Sequence, residues 1–147
     1  MTYTIRRATA QETHTAAQLA VQMWEDATPE ALEAEFAAQL QSGESTVLLA
    51  LCDKQAVGFA QCGLRHDYVE GCDTSPVGYL EGVFVKEPHR RKGVARRLLA
   101  ACEDWARGKG CREFASDCEL ENRDSLAFHM QNGFAEANRI ICFCKKL

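Results

Sequence analysis

The residues with the clearest chemical potential lie between positions 90 and 97, which read RRKGVARR. Five of these eight side chains are Arg or Lys, in a chain whose formal net charge at pH 7 is −4. So much positive charge around one glycine, Gly93, is compatible with three kinds of structure. It can be a surface for nucleic acid, the solvated first turn of a helix, or a binding site for phosphate groups.

The position of this stretch favours a phosphate site. It follows the apolar segment VGYLEGVFV, which predicts a central strand, and it precedes an amphipathic helix whose apolar face includes Val94, Leu98 and Trp105. The first N–H groups of a helix have no partner within the helix, and the helix dipole is positive there. A glycine also lets a ligand approach the backbone closely. These features suit a pyrophosphate, although neither the triphosphate-loop motif nor the dinucleotide glycine motif is present.

Two other interpretations of the basic stretch stay open at this point. Arg96 and Arg97 lie within the predicted helix, and they also suit its solvent-exposed face. A nucleic-acid surface calls for further basic and aromatic residues, whereas the rest of this chain is acidic. We therefore expect no nucleic-acid partner.

Two acidic residues and one aromatic residue elsewhere occupy positions that call for an explanation. Glu81 interrupts the apolar strand, where a carboxylate is costly unless it is paired, solvated or used in chemistry. Asp117 ends the strand predicted in CREFASD, where a side chain can face a cleft. Trp24 ends a predicted helix, where it suits a core anchor.

Length and composition bound the class of protein. A chain of 147 residues with 46% hydrophobic and 26% charged residues predicts one globular domain, residues 1–147. No apolar run is long enough to cross a membrane, and the amino terminus has no apolar signal core, so we expect a cytoplasmic protein. The eight cysteines include no C-x-x-C pair or zinc-finger spacing, which predicts reduced, mostly buried thiols and no metal site.

Periodicity and turn signals predict a mixed sheet covered by helices. The predicted strands are TYTIRRAT, the hairpin of STVLLALC and QAVGFAQCGL joined at DKQ, VGYLEGVFV, CREFASD and a terminal strand, RIICFCKKL. The predicted helices cover residues 10–24, the segment from the Thr28 cap to Gly43, the segment that follows Gly93 to about 108–110, and NRDSLAFHMQNG.

On these segments the chain resembles the GNAT acyltransferases. Arg90–Ala95 matches that family's pyrophosphate motif, [Q/R]-x-x-G-x-[G/A], and NRDSLAFHMQNGF matches its second cofactor segment. The resemblance implies the GNAT α/β fold, a mixed and mostly antiparallel sheet with helices on both faces. It implies acetyl-CoA as co-substrate, a homodimer, and the following cofactor-binding residues: the backbone of Val83, Phe84 and Val85, the loop Arg90, Arg91, Lys92, Gly93, Val94, Ala95 and Arg96, and Asn122.

A narrower resemblance appears in RHDYVEGCDTSPVGYLEGVFV and CREFASD, which look like segments of the aminoglycoside 6'-N-acetyltransferases. It implies transfer of an acetyl group to the 6'-amine of kanamycin- or tobramycin-type antibiotics. It also implies substrate contacts at Trp24, Tyr68, Glu81 and Asp117. Relatives often carry a further acid near the carboxyl end, where this chain has Asn138 and, two residues earlier, Glu136.

The same resemblance assigns catalytic roles to Glu81, Asp117 and His129. Glu81 faces the substrate amine, and it either takes a proton directly, takes it through water or binds an ammonium. Many relatives have a Tyr where His129 stands, so His129 is either the proton donor to the leaving thiolate or a packing residue. Acetylation of another amine, such as a polyamine, a small metabolite or a protein amino terminus, is the alternative activity.

Overall fold

The computed structural model describes residues 1–147 and contains one five-stranded sheet of order β1-β2-β3-β4-β5. The strands β1 to β4 pair antiparallel in chain order, whereas β5 pairs parallel to β4. This arrangement confirms the predicted mixed, mostly antiparallel sheet. The bounds are β1 Tyr3–Arg7, β2 Ser45–Cys52, β3 Gln55–Arg65, β4 Val77–Val85 and β5 Phe114–Ser116.

Four helices accompany the sheet: α1 Thr13–Ala20, α2 Pro29–Ser42, α3 Val94–Gly108 and α4 Arg123–Gln131. The predicted start of α2 is confirmed, because the Thr28 hydroxyl accepts the Ala31 N–H at 3.2 Å and Pro29 is the first helical residue. Gly43 ends α2 at a φ of +73°. No helix is both long and apolar enough to cross a membrane.

The two faces of the sheet carry separate hydrophobic cores. One core joins α1 and α2 to the sheet and has Phe36 and Phe59 at its centre, both fully buried. The other joins α3 to the opposite face through Leu98 and Cys102. Because side chains alternate between the faces of a strand, the sheet contributes to both cores and helices cover both faces, as predicted.

The β2–β3 hairpin turns within two residues, Asp53 and Lys54, whose φ angles are 50° and 72°. Two consecutive positive φ angles are those of the tight turn that best fits the twist of paired strands. The predicted hairpin is therefore confirmed, with β3 running on as far as Arg65.

The carboxyl-terminal segment differs from the sequence-based expectation. Residues 132–147 form no helix or strand, and Ile140, Ile141 and Phe143 are 68%, 81% and 91% exposed. The predicted strand RIICFCKKL is therefore wrong for the isolated chain, because a strand needs a partner edge and this segment has none. The predicted helix over 10–24 is also too long, since α1 ends at Ala20 and Trp24 lies in the connection beyond it.

All eight cysteines are free thiols. Cys52, Cys62, Cys102 and Cys111 are buried, as expected for small apolar side chains. Cys118, Cys142 and Cys144 are exposed, so the expectation of burial fails for these three. No group of three His, Cys, Asp or Glu side chains is placed to hold a metal ion.

Candidate active site

Glu81 lies at a β-bulge in the middle of β4. Gln61 of β3 pairs with Gly82, and the next residue, Cys62, pairs with Leu80, so Glu81 is an extra residue without a partner on β3. A bulge of this kind re-aims a side chain and bends its strand. The Glu81 side chain is consequently 34% exposed, although it belongs to a strand whose neighbouring residues are largely apolar.

Glu81 lines a cavity of about 550 Å³ between the sheet and α2. This volume is within the range of about 300–1,000 Å³ that is typical of small-molecule sites. Two of the predicted substrate contacts, Trp24 and Glu81, therefore share one cavity. Its lining comprises Trp24, Ala27, Leu32, Glu35, Gln39, Ser45, Gln61, Gly63, Leu64, Arg65 and Glu81.

Trp24 combines the two roles that the sequence left open. Its ring packs edge-to-face against Phe59 of the core, with the ring centroids 5.7 Å apart, and it also forms part of the cavity wall. Its six-membered ring lies directly over Gly82. A Cβ at residue 82 would come within 2.6 Å of the Trp24 Cζ2 atom and of the Met23 Cε atom, so only glycine fits there.

A row of polar side chains connects the floor of the cavity to α2. The Gln61 Nε2 group donates to the Gln39 Oε1 atom at 2.6 Å, and the Gln39 Nε2 group donates to the Glu35 Oε1 atom at 3.0 Å. Gln61 is only 5% exposed, so this hydrogen bond satisfies a buried amide. The row leaves Glu35 as a second carboxylate on the cavity wall, facing the same space as Glu81.

Asp117 is linked to this cavity through Tyr79 and Arg65. The Tyr79 hydroxyl donates a short hydrogen bond to the Asp117 carboxylate, and burial followed by this bond raises the pKa of Tyr79. The Arg65 guanidinium lies 3.9 Å from the centroid of the Tyr79 ring. Its Nη2 atom is 2.5 Å from the Glu81 Oε1 atom, and this bond raises the pKa of Arg65. Both predicted acids therefore belong to one charged network.

Tyr68 lies on the loop 66–76 and is 79% exposed. Its hydroxyl donates to the Glu70 carboxylate at 3.2 Å, and the Glu70 carboxylate also accepts the Asn138 amide at 2.7 Å. The structure therefore brings Tyr68 and Asn138 together. Glu136 lies in the same segment as Asn138 and is paired with Arg139. None of these three lines the cavity at Glu81.

Glu113 anchors the loop that carries Tyr68. One of its carboxylate oxygens accepts the backbone N–H groups of Asp73 and Thr74, at 2.9 and 2.8 Å, together with the Thr74 hydroxyl. The Thr74 hydroxyl bond is the main cause of a lowered Glu113 pKa. A charged acceptor at the start of β5 therefore holds the loop beside the site.

The basic loop has the geometry predicted for an anion site. Arg91 and Gly93 have φ angles of 61° and 78°, and no side chain caps the amino terminus of α3. No protein atom lies within 4 Å of a Cβ built on Gly93, so the backbone there is open to a ligand. The N–H groups of the first turn, including those of Val94 and Ala95, are left without a side-chain acceptor.

The five basic side chains of this loop have different roles. Arg90 is tied to the sheet, because its Nε group donates to the Val85 carbonyl at 2.7 Å. Arg96 donates to the Asn132 side chain at 3.2 Å, and Arg97 donates to the Tyr3 carbonyl of β1 at 3.1 Å. Arg91 and Lys92 are exposed beside Gly93. Arg97 is thus directed away from the loop, whereas Arg91 and Lys92 are available to bind an anion.

The outer edge of β4 is open next to this loop. Pairing between β4 and β5 ends at Leu80 and Ser116, while β4 continues to Val85. The Val85 carbonyl accepts a hydrogen bond from Arg90 and therefore points away from β3. Along a strand, the backbone groups of every second residue point to the same side, so the N–H and C=O groups of Val83 also point away from β3. Phe84 pairs with Phe59 of β3. The structure therefore offers an unpaired backbone edge at Val83, which suits an extended amide-containing arm such as that of acetyl-CoA.

His129 and Asn122 are both engaged within the protein. The His129 Nδ1 atom is 2.6 Å from the Ser125 carbonyl oxygen, to which it donates, and its Nε2 atom is 2.8 Å from the Ser116 hydroxyl. The Asn122 side chain accepts the Ser125 N–H at 3.1 Å and thereby caps α4. The His129 contacts join α4 to β5, beside the gap between β4 and β5.

Sequence reasoning missed several residues of the cavity at Glu81 and of the network beside it. Arg65, Tyr79, Gln39 and Gln61 were not singled out, and Glu35 was assigned only to a helix. One signal was present, because Gln61 is a lone amide in the apolar strand QAVGFAQCGL. The position of Arg65 depends on the bulge and on pairing between strands, which no local pattern reveals.

Comparison with known proteins identifies the family of the chain. Residues 11–134 match the model of the acetyltransferase (GNAT) family. The aminoglycoside N(6')-acetyltransferase type 1 of Stenotrophomonas maltophilia is 45% identical over 141 residues, which cover 95% of this chain and 91% of that protein. The enzyme of the same name from Salmonella typhimurium is 43% identical over 125 residues, which cover 85% and 86%.

Solved structures give the same result. The aminoglycoside acetyltransferase AAC(6')-Iy, in complex with the bisubstrate analogue CoA-S-monomethyl-acetylneamine, matches with a TM-score of 0.95 and 39% identity over the whole of both chains. The aminoglycoside 6'-N-acetyltransferase AAC(6')-Ih from Acinetobacter baumannii matches with a TM-score of 0.92 and 34% identity over 99% of each chain. The predicted fold is confirmed, and the chain belongs to the GNAT acetyltransferase family, in the group that includes the aminoglycoside 6'-N-acetyltransferases.

Proposed function

We propose that this protein transfers the acetyl group of acetyl-CoA to the 6'-amine of aminoglycoside antibiotics and so confers resistance to them. The observation that carries the proposal is the arrangement of two sites on one strand. At the Val85 end of β4, a cationic loop and a free helix amino terminus suit an anionic co-substrate. At the bulge, Glu81 faces a cavity that also contains Glu35, and these two carboxylates suit a cationic substrate.

The cofactor-binding residues act through the backbone and through charge. Arg91, Lys92 and the first N–H groups of α3 bind the pyrophosphate, with Gly93 allowing close approach. The free backbone groups of Val83 pair with the pantetheine arm, and an N–H group there polarises the thioester oxygen. Asn122, which caps α4, is proposed to contact the same arm, as the family resemblance implies. Acetyl-CoA supplies the activated acetyl group as a thioester.

The acceptor side binds the antibiotic by charge and shape. Glu81 receives the 6'-amine at the bulge, while Trp24 provides a flat apolar wall for a sugar ring. Asp117 acts through the network that Tyr79 and Arg65 form with Glu81. Tyr68, Glu136 and Asn138 lie on surface segments outside the cavity lining, and their proposed role is to contact the more distant rings.

The contacts of His129 favour a positioning role. Both ring nitrogens already have partners, at the Ser125 carbonyl and the Ser116 hydroxyl. A proton that left His129 would therefore pass through Ser116, whose hydroxyl also lies 3.2 Å from the Leu80 carbonyl oxygen. His129 thus orients Ser116 and α4 next to the open edge of β4.

We further propose that all 147 residues form one domain and that the enzyme is a cytoplasmic homodimer. Eight free thiols are typical of proteins from reducing compartments. The exposed apolar side chains of Ile140, Ile141 and Phe143 lie on a segment that has no strand partner in its own chain. A second copy would supply such a partner and cover these side chains.

The substrate proposal is tested by measuring CoA release with a panel of amines. We expect turnover with kanamycin and tobramycin, which carry a 6'-amine, and none with an aminoglycoside that has a 6'-hydroxyl in its place. Spermidine and a peptide with a free amino terminus serve as the competing amines. Turnover with spermidine or the peptide but not with the antibiotics would overturn the proposal.

A further inference from the structure

Arg65 places a positive charge in the middle of the acceptor site. Its Nη2 atom contacts the Glu81 Oε1 atom at 2.5 Å, and its guanidinium stacks at 3.9 Å on the ring of Tyr79. Tyr79 is 9% exposed and its hydroxyl is bonded to Asp117, so packing and a hydrogen bond hold the ring on which Arg65 rests. Arg65 itself is 47% exposed in its side chain and faces the cavity.

The other charges around Arg65 are predominantly negative and come from several elements. His66, the nearest titratable base in sequence, is directed to the Glu44 carboxylate at 3.0 Å instead of toward the cavity. Without Arg65, the acceptor end of the cavity would hold no fixed positive charge. The acidic groups that the structure places near it are Glu81 of β4, Asp117 after β5 and Glu35 of α2, and Glu25 and Asp26 lie in the segment that continues from Trp24 of the cavity wall.

This balance of charge matters because the acceptor must lose a proton. An aliphatic amine such as that of lysine has a pKa of about 10.4 in water, so it is mostly an ammonium near neutral pH. Only the neutral amine has a lone pair. The nitrogen forms the new C–N bond with that lone pair, the C–S bond breaks with its electrons passing to sulfur, and one proton leaves the nitrogen. The net reaction of an ammonium with the thioester gives an amide, a thiol and one proton.

Carboxylates alone would oppose this proton loss. A negative charge in contact with an amine favours the ammonium, and a nearby positive charge favours the neutral form. If no positive charge balanced Glu81, Asp117 and Glu35, the site would bind the antibiotic tightly as the unreactive ammonium. Arg65 engages one oxygen of Glu81, which leaves the other oxygen for the acceptor.

We propose that Arg65 is the counter-ion that keeps the bound acceptor amine in its neutral, nucleophilic form. It is a positioning residue, since it acts through Glu81 and through the charge of the site. The inference rests on the proposed function, because it concerns the amine that the cavity receives. In this role, Arg65 weakens the binding of the cationic antibiotic but increases the rate at which the bound amine reacts.

The test compares Arg65→Gln with Arg65→Lys, which keeps the charge. At saturating acetyl-CoA, kcat for kanamycin is measured from about pH 6 to about pH 10. Removal of one charge near the amine is expected to shift the acidic limb of the Arg65→Gln profile upward by about one pH unit. The kcat of Arg65→Gln near pH 7 would then fall about tenfold and recover at high pH. The pH profile of kcat for Arg65→Lys would have its acidic limb at the same pH as the wild type.

A binding measurement separates this role from simple substrate contact or structural support. In the absence of acetyl-CoA, calorimetry should show that Arg65→Gln binds kanamycin more tightly than the wild type, by up to about tenfold. A pH-independent loss of kcat, or weaker binding by Arg65→Gln, would overturn the inference. A wild-type enzyme that does not acetylate kanamycin would instead overturn the proposed function.

Discussion

The position of Glu81 follows from one extra residue in β4. The register between β3 and β4 slips between Gln61 and Cys62, and Glu81 is the residue left over. An in-register strand would direct that side chain to one face of the sheet and pair its backbone with β3. The bulge instead turns the carboxylate into the cavity and begins the stretch of β4 that lies beyond β5. One irregularity therefore shapes both of the proposed substrate sites.

Gly82 is predicted to be essential for the acceptor wall. In Gly82→Ala, the new Cβ would lie 2.6 Å from the Trp24 ring, so Trp24 must move. We expect a loss of about 1–3 kcal/mol in the free energy of unfolding and a KM for kanamycin raised about tenfold. Urea unfolding and steady-state kinetics check these effects. Gly108→Ala is the matched control, because no atom lies within 4 Å of its Cβ, and equal effects of both changes would contradict the prediction.

Gly93 is predicted to serve the co-substrate as well as the backbone. Gly93 and Gly110 have φ angles of 78° and 89°, and neither would meet a neighbouring atom through a Cβ. Gly93→Ala and Gly110→Ala should therefore both lose about 1 kcal/mol of stability through strain. Only the change at Gly93 should weaken acetyl-CoA binding, and Gly93→Asp should weaken it further by repelling the pyrophosphate. Calorimetric titration with CoA measures the difference, and normal binding by Gly93→Asp would refute the anion site.

At the scale of elements, the loop 66–76 depends on β5 for its shape. Glu113→Ala removes the acceptor of two backbone N–H groups and one hydroxyl. We expect faster hydrogen exchange at Asp73 and Thr74, and a KM for kanamycin raised about fivefold as Tyr68 becomes less ordered. The KM for acetyl-CoA should change little. Glu119→Ala, at an exposed position before α4, is the control, and the same loss of kanamycin affinity there would argue against a specific anchor.

The connection from β1 to α1 is predicted to respond to acid. Arg6 holds the Glu12 carboxylate through two hydrogen bonds, at 2.7 and 2.8 Å, and lowers the pKa of Glu12 to about 2. A pKa lowered by folding stabilises the protein above the unfolded value and loses that effect as pH falls toward the folded value. Glu12→Gln keeps the Thr9 contact but loses the charge, and should cost about 1 kcal/mol near pH 7.

The pH dependence distinguishes this effect from a loss of packing. The stability difference between wild type and Glu12→Gln should shrink between about pH 4.5 and pH 2, as the wild-type carboxylate is protonated. Chemical unfolding at several pH values measures it. Glu30→Gln, an exposed acid at the start of α2, provides the comparison. A difference that stays constant down to pH 2 would contradict the ion-pair explanation.

Most helices and strands could be predicted because local signals determine them. The Thr28 cap, the Gly43 stop and the polar turn at Asp53 act within a few residues, and the structure confirms each one. Glu81 and Gly93 were identified from their neighbours in sequence. Arg65 and Tyr79 were not, because their contacts join β3, β4 and the end of β5. The terminal strand failed for the same reason, since local alternation does not determine whether a segment finds an edge to pair with, and residues 134–147 pair with none.

At the scale of the whole molecule, charge is segregated. The chain is acidic overall, at −4, yet five cations cluster at the start of α3. Carboxylates gather around the cavity at Glu81. In the proposed function, such opposite fields would direct an anionic and a cationic substrate to different ends of the same strand and reduce binding at the wrong site.

The carboxyl-terminal segment is predicted to build the homodimer. Light scattering should give a mass of twice the chain mass of 16.3 kDa. Replacing Ile141 and Phe143 together by Asp should yield monomers, because charges would be buried in the interface. Replacing Lys145 and Lys146 by Asp is the control and should preserve the dimer. A wild-type monomer, or an unchanged dimer in the Ile141 and Phe143 variant, would contradict the prediction.

The open edge of β4 has a consequence for the lifetime of the enzyme in a cell. An unpaired strand edge is a template for association with other chains, and in the proposed mode of binding the co-substrate covers this edge. A ligand that binds only the folded state stabilises it by about 2.7 kcal/mol at a hundredfold excess over its Kd. A cell that runs short of acetyl-CoA would therefore lose resistance in two ways, through slower acetylation and through faster clearance of the enzyme itself.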